Sequence, residues 1–312
     1  MGTPDFAVQP LRELVENNYE VVAVVTMPDK PAGRGKKIQF SDVKKTALEH
    51  QLPLLQPKKL KNPEFLEELA SFNANLFIVV AFRMLPESVW NMPPLGSINV
   101  HASLLPNYRG AAPINWAIMN GEEYTGVTTF LLKHEIDTGD ILQYEKIKIE
   151  PDDNVGIVHD KLMIVGASLL IKTVESICAG NTKGTPQSEL MPADGILKGA
   201  PKIFKDDCRI NWNDEPLTII NKIRGLSPYP AAFGELKRTG CEPLSMKIFC
   251  GKFEEMQHNE PVGKITSDGK SYLKVFVRNG TISLDDIQLA GKKRMPIADF
   301  LRGFKDINEY SM

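Results

Sequence analysis

A chain of 312 residues is long enough for two domains of ordinary size. With 42% hydrophobic and 24% charged residues it reads as a folded, soluble protein and not as a disordered one. A formal net charge of -2 means that a polyanionic partner has to be met by a local basic patch. The four cysteines, Cys178, Cys208, Cys241 and Cys250, show no C-x-x-C spacing, so neither a zinc site nor a disulfide framework is expected. No apolar run approaches the roughly 18 residues that span a bilayer. The opening MGTPDFAVQP lacks a basic segment followed by an apolar one. The expected location is the cytoplasm.

In chain order, Glu20–Thr26 and Leu76–Ala81 are short β-branched runs without polar alternation, the pattern of strands buried on both faces of a parallel sheet. Helical patterns lie between them at Lys44–His50 and Asn62–Phe72. The second opens on Asn-Pro followed by two glutamates, a plausible capped start with Pro in the first turn. Ser97–His101 and Gly126–Leu132 are further strand candidates, and a long helix fits Asn154–Cys178. Alternating strands and helices imply an α/β domain with a parallel sheet and right-handed crossovers. Residues 179–201 are rich in Gly, Pro, Thr and Lys and read as a linker. Beyond Lys202 come short strand-like stretches at Lys247–Phe249, Leu273–Arg278 and Thr281–Leu289, with turn signals at Ser267-Asp268-Gly269 and Asn279-Gly280. That region is expected to be a small β-barrel or sandwich. The expected division is 1–180, a linker at 181–201, and 202–312.

In an open α/β sheet, ligands bind at the carboxyl ends of the strands. Asn99 and His101 lie at the end of Ser97–His101, and their i, i+2 spacing puts both on one face. An amide beside an imidazole suits stabilisation of an oxyanion with an acid or base at hand. The following loop carries Tyr108 and Arg109. Asp137, in Asp137-Thr138-Gly139-Asp140, follows another strand, where a carboxylate would orient His101 and favour its charged form. The same residues also fit plain strand termination and an Asx turn.

Five blocks occur in order: Gly2-Thr3-Pro4-Asp5-Phe6, the stretch from Pro28 to Lys37, Asn99-Val100-His101-Ala102-Ser103-Leu104-Leu105-Pro106, Arg109-Gly110-Ala111-Ala112-Pro113, and Asp137-Thr138-Gly139-Asp140. On them the chain resembles the folate-dependent formyltransferases, and within that family the branch that formylates methionyl initiator tRNA. The His-Ala-Ser-Leu-Leu-Pro and Asp-Thr-Gly-Asp blocks belong to the wider family and its related hydrolases. The basic loop and the C-terminal β region are what point to tRNA.

The resemblance implies a Rossmann-like formyltransferase domain followed by an OB-like barrel that contacts tRNA. It implies 10-formyltetrahydrofolate as formyl donor, with no metal. Asn99, His101 and Asp137 match the catalytic trio. Phe82, Arg83, Met84 and Leu85 match the loop that grips the pterin ring, largely through backbone groups, with Ser103, Leu104, Leu105, Pro106 and Asp140 as further folate contacts. Phe6 matches a wall of the methionine pocket. Arg34, Lys36 and Lys37 match a loop that reaches the tRNA acceptor end, and Lys202 and Lys205, near the linker, are further candidates for RNA contact. The family places a short apolar strand just before Met-Gly-Thr-Pro-Asp-Phe, and this sequence opens at the end of it. Two readings follow: the natural protein starts further upstream, which is the favoured one, or the sheet lacks its central strand, each orphaned backbone group then costing on the order of 1–3 kcal/mol.

Lys30, Arg34, Lys36, Lys37, Lys44 and Lys45 put six positive charges in a short segment, suited to phosphate contact. Trp90, Trp116 and Trp212 are expected to pack and not to stack on bases. His50, His134, His159 and His258 are expected to be incidental. Two readings compete: a formyltransferase for a small amine, such as an amino sugar nucleotide or glycinamide ribonucleotide, and a non-catalytic tRNA-binding module. The basic loop argues against the first and the intact trio against the second. A nicotinamide dehydrogenase is disfavoured, since no G-x-G-x-x-G follows an N-terminal strand. No membrane and no obligate protein partner are expected.

Overall fold

The structure is a computed structural model describing residues 1–32, 37–192 and 195–312. The chain forms two compact units, one of Met1–Gly110, Tyr124–Ile147 and His159–Gly199, the other of Ala111–Glu123, Lys148–Val158 and Ala200–Met312.

In the first unit Phe77–Val80 pairs parallel with Ser97–His101, and Val24–Val25 pairs parallel with Leu54–Leu55. Tyr124–Leu131 then runs antiparallel to Ser97–His101, with Ile141–Lys148 on its far side. The expected parallel sheet is thus parallel on one side of Ser97–His101 and antiparallel on the other. Strand composition marks burial but says nothing about strand direction. Val25, Leu55, Phe65, Leu69, Phe77, Val79 and Val89 form one core cluster. Pro63–Ser71 contributes Phe65 and Leu69 to it and starts with Pro63 in its first turn, although Asn62 makes no side-chain cap bond. The helix Val155–Cys178 buries Val158, Leu162 and Leu170 completely. It comes close to the sheet at Gly166, where a Cβ would stand 3.3 Å from Val100 and Val127.

The run Glu20–Thr26 forms a ladder only at Val24–Val25. Met1 and Gly2 occupy the space between the two parallel pairs. Gly2 N–H donates to the Val25 carbonyl and Val80 N–H to the Met1 carbonyl, at 3.0 and 2.9 Å. The Met1 α-amine donates to the Ile78 carbonyl at 2.6 Å, and burial pushes this group down to about 5. Past these two residues lies a cleft of about 430 Å3 lined by Leu14, Val22, Leu69, Phe77 and Val174 among others. β-Branched composition favours an extended backbone, but a ladder also needs a partner strand.

The second unit is an antiparallel sheet in the order 232–236, 244–255, 280–289, 273–277 and 265–267. Register shifts around Cys250 bend its longest strand. The Leu273–Val277 and Gly280–Leu289 strands are joined at Asn279, which holds φ 56, as the Asn-Gly signal requires. The ladder is open in place of the closed barrel expected, with Ser311 making single bridges to Lys237, beside one edge strand, and to Lys264, beside the other. Met246, Ile248, Val275, Leu284 and Ile287 fill the interior with Ile219 and Ile223 of the helix Pro216–Leu226. Arg224 of that helix donates to the carbonyls of Glu150, Pro151 and Asp153. Among the described residues no helix is long and apolar enough to cross a membrane.

Candidate active site

The strand Ser97–His101 lies between two strands, so its faces are set by the pleat. Ile98 and Val100 are buried on one face, and Asn99 and His101 point to the other. The Nε2 of His101 is 2.8 Å from the Tyr108 carbonyl. A carbonyl only accepts, so Nε2 carries a proton. Nδ1 faces Asp137 Oδ2 at 3.9 Å, within ion-pair reach but beyond a direct hydrogen bond. Both side chains are largely buried. Asn99 is half-buried, and none of the described residues engages its carboxamide.

Asp137 takes a left-handed backbone conformation, φ 55, uncommon for a residue with a side chain. Its Oδ2 accepts the Gly110 N–H at 2.9 Å. Two residues on, a Cβ at Gly139 would lie 1.5 Å from the Leu131 carbonyl oxygen, so only glycine fits. Asp140 accepts from Lys133 at 2.7 Å.

The loop after His101 is held from within. Ser103 Oγ donates to the Asn107 carbonyl at 2.8 Å. The buried Thr128 hydroxyl donates to the Ser103 carbonyl and accepts the Leu105 N–H, at 2.7 and 3.2 Å. Leu104 packs against Gly126, where a Cβ would stand 2.5 Å from its Cδ2. Leu105 is buried with Phe130 and Ile141, and Pro106 is buried as well. In the loop after Val80, Phe82 and Leu85 belong to the core while Met84 is 73% exposed. Arg83 donates to the carbonyls of Lys58 and Pro57 at 3.0 and 2.5 Å, and burial pushes its guanidinium below the usual arginine value. Its charge tethers one loop to another.

Phe6 is buried, edge-on to the His159 ring at a centroid distance of 5.3 Å. His159 also stands 3.5 Å from Asp5 and 3.0 Å from Asp160. His159, expected to be incidental and structural, packs against Phe6. The i, i+1 spacing of His159 and Asp160 in a helix gives no hint of this, since Phe6 arrives from far away in sequence.

The basic segment is less available than its charge count implies. Lys44 is 2.5 Å from Asp29 and 2.9 Å from Gln56 Oε1, and Lys45 is 2.8 Å from Asp42. Lys44 is largely buried in its pair, whereas the Lys45 pair is a surface one with both side chains about half exposed. Gln56 also donates to Asp29 and to the Met27 carbonyl, which ties down the base of the segment. Arg34 and Lys36 lie outside the described residues, and Lys37 opens the strand Lys37–Gln39, antiparallel to Lys30–Ala32. In the second unit exposed Lys202 lies over the Phe204 ring at 5.5 Å. Trp90 and Trp212 pack in core clusters, while Trp116 is half-buried and donates to the Pro201 carbonyl.

Two residues at the site escape the sequence reading. Thr128 is one of three threonines in the strand Tyr124–Leu131, and only its register opposite His101 sets it apart from Thr125 and Thr129. Gln187, within the linker-like 179–201 stretch, bonds to Arg109 and to the Asp137 segment. Composition carries no signal for it. Among the described residues no group of three or more His, Cys, Asp or Glu is gathered to hold a metal ion.

Comparison with known proteins points one way. Residues 1–174 match the model of the formyl transferase family and residues 202–305 that of the formyl transferase C-terminal domain. The chain is 56% identical, over all of its length and 96% of the relative's, to a methionyl-tRNA formyltransferase of Bacteroides fragilis. Among solved structures, HypX from Aquifex aeolicus in complex with tetrahydrofolic acid matches with TM-score 0.62 at 20% identity, over 95% of this chain and 44% of that one. WlaRD, a sugar 3N-formyl transferase in the presence of dTDP and 5-N-formyl-THF, matches with TM-score 0.61 at 19% identity, over 94% of this chain and 97% of that one. The structural likenesses speak for the fold, and the sequence matches span the whole chain. The protein belongs to the formyl transferase family.

Proposed function

We propose that this enzyme transfers the formyl group of 10-formyltetrahydrofolate to the α-amino group of methionyl initiator tRNA in the cytoplasm. The reading is carried by one juxtaposition, His101 and Asp137 facing each other 3.9 Å apart at the end of the Ser97–His101 strand. It is supported by full-length similarity to relatives named methionyl-tRNA formyltransferase. The neutral methionyl amine attacks the formyl carbon, forming a C–N bond while the carbonyl electrons move to oxygen. The Asn99 carboxamide and the protonated Nδ1 of His101 donate to that oxyanion. Nε2 is committed to the Tyr108 carbonyl, so Nδ1 is the nitrogen that gains and loses the proton. The Asp137 carboxylate faces that nitrogen and helps move the amine's proton. Collapse of the intermediate expels N10 of the folate, which takes up a proton.

The folate sits against Phe82, Arg83, Met84 and Leu85 and against Ser103, Leu104, Leu105, Pro106 and Asp140. Arg83 and Thr128 hold those loops so that their backbone groups meet the pterin. Phe6 walls the methionine side chain. Arg34, Lys36, Lys37 and Lys202 contact the tRNA backbone. Residues 1–180 carry the transfer, 202–312 bind tRNA, and 181–201 join them.

The test is transfer of labelled formyl from 10-formyltetrahydrofolate to methionyl initiator tRNA, with an amino sugar nucleotide as the competing acceptor. The tRNA is expected to be formylated and the sugar left untouched. Formylation of the sugar alone would overturn the reading.

A further inference from the structure

Gln187 touches both backbone segments that meet at the candidate centre. It opens the turn Gln187–Leu190 and is only 4% exposed. Its side-chain nitrogen donates to the carbonyls of Asp137 and Gly139 at 2.9 and 2.8 Å. Its Oε1 accepts from Nε and Nη2 of Arg109 at 2.9 and 2.5 Å. A carboxamide has two donors and two acceptor sites, so Gln187 spends all four where little water reaches.

What these bonds hold is specific. Asp137 and Gly139 bracket the left-handed turn that presents the Asp137 carboxylate. Arg109 lies between Tyr108, whose carbonyl fixes the His101 ring, and Gly110, whose N–H is bonded to Asp137 Oδ2. One side chain thus spans the backbone behind the imidazole and the backbone behind the carboxylate. Loop residues in unfavourable conformations persist only when their surroundings over-determine them, and here Gln187 supplies that determination.

We propose that Gln187 is a positioning residue for formyl transfer, setting Asp137 opposite Nδ1 of His101 without touching substrate. The inference rests on the reading of Asn99, His101 and Asp137 given above. A residue acting through the carboxylate affects the chemical step more than binding, and loses its effect once the carboxylate is gone. Misplacement of a catalytic group by about 1 Å costs up to roughly 100-fold in rate.

The experiment measures steady-state formyl transfer to methionyl initiator tRNA by wild type, Gln187→Met, Gln187→Glu, Asp137→Ala and the Gln187→Met/Asp137→Ala double variant, with a thermal melt for each. Gln187→Met keeps the volume and loses every hydrogen bond, whereas Gln187→Glu keeps an acceptor for Arg109 and loses both donors. Both are expected to lower kcat about 10- to 100-fold with KM for either substrate within about twofold. On the Asp137→Ala background, Gln187→Met is expected to add less than about a twofold loss. The inference is overturned if either folded single variant keeps wild-type kcat, or if the two losses multiply in full. Loss of the native melt in both Gln187 variants would overturn it too, by making the residue a purely structural one. A wild-type chain that transfers no formyl would instead remove the underlying reading, and the inference with it.

Discussion

His101 and Asp137 face one another across 3.9 Å, yet they are held there by different means. His101 stands in a strand paired on both sides, with its direction set by the pleat and its ring pinned by the Tyr108 carbonyl. Asp137 stands in a turn with positive φ, held by the Gly110 N–H, by two bonds from Gln187, and by a glycine that leaves no room for a side chain. A ladder spreads its hold over many bonds, whereas a turn depends on a few tertiary ones. The imidazole side is therefore expected to tolerate changes in its neighbours, and the carboxylate side is not.

The sharpest way to break this contrast is Gly139→Ala. The added methyl would overlap the Leu131 carbonyl at 1.5 Å. Denaturant unfolding is expected to show a loss on the order of 3 kcal/mol or more, with formyl transfer abolished. A protein of wild-type stability and activity would mean that the turn is not constrained as described.

On the strand side, Thr128→Val keeps the shape and removes the hydroxyl that serves the Ser103 carbonyl and the Leu105 N–H. The two orphaned backbone groups predict a loss of about 1–3 kcal/mol. If this loop seats the folate, KM for 10-formyltetrahydrofolate rises more than kcat falls. A change in kcat alone would move the role of Thr128 to the His101 side.

The smallest expected effect lies at the base of the basic segment. A hydrogen bond from Lys44, and then one from Gln56, hold the Asp29 carboxyl below the usual carboxylate range. A depressed carboxylate stabilises the fold at neutral pH, and that contribution is lost as pH falls from the ordinary carboxylate value downward. Asp29→Asn is expected to flatten the acid limb of the stability profile by a modest amount. An unchanged acid limb would show that the pair contributes nothing measurable, as many partly exposed pairs do.

The same contrast explains what could be read from the sequence. Ser97–His101 has the bounds expected of it, and so, within a residue, does the long helix Val155–Cys178, because alternation and helical periodicity are local signals. The face shared by Asn99 and His101 follows from that alternation alone. Glu20–Thr26 pairs only at Val24–Val25, since composition signals extended backbone but not the presence of a neighbour. The antiparallel turn of the sheet after Ser97–His101 is likewise a tertiary fact. Lys44 and Lys45 look like free charge in a list of residues, and only the fold reveals Asp29, Gln56 and Asp42 beside them. Gln187 is the limiting case, an uncharged residue in a loop-like stretch whose four bonds all go to residues distant in sequence.

The most direct test of the central claim is a single-turnover measurement of formyl transfer to methionyl initiator tRNA by wild type and His101→Ala, both preloaded with 10-formyltetrahydrofolate. Loss of an oxyanion donor predicts a rate about 10²- to 10³-fold slower in the variant, with the thermal melt little changed. A folded His101→Ala protein that transfers formyl at the wild-type rate would contradict the account.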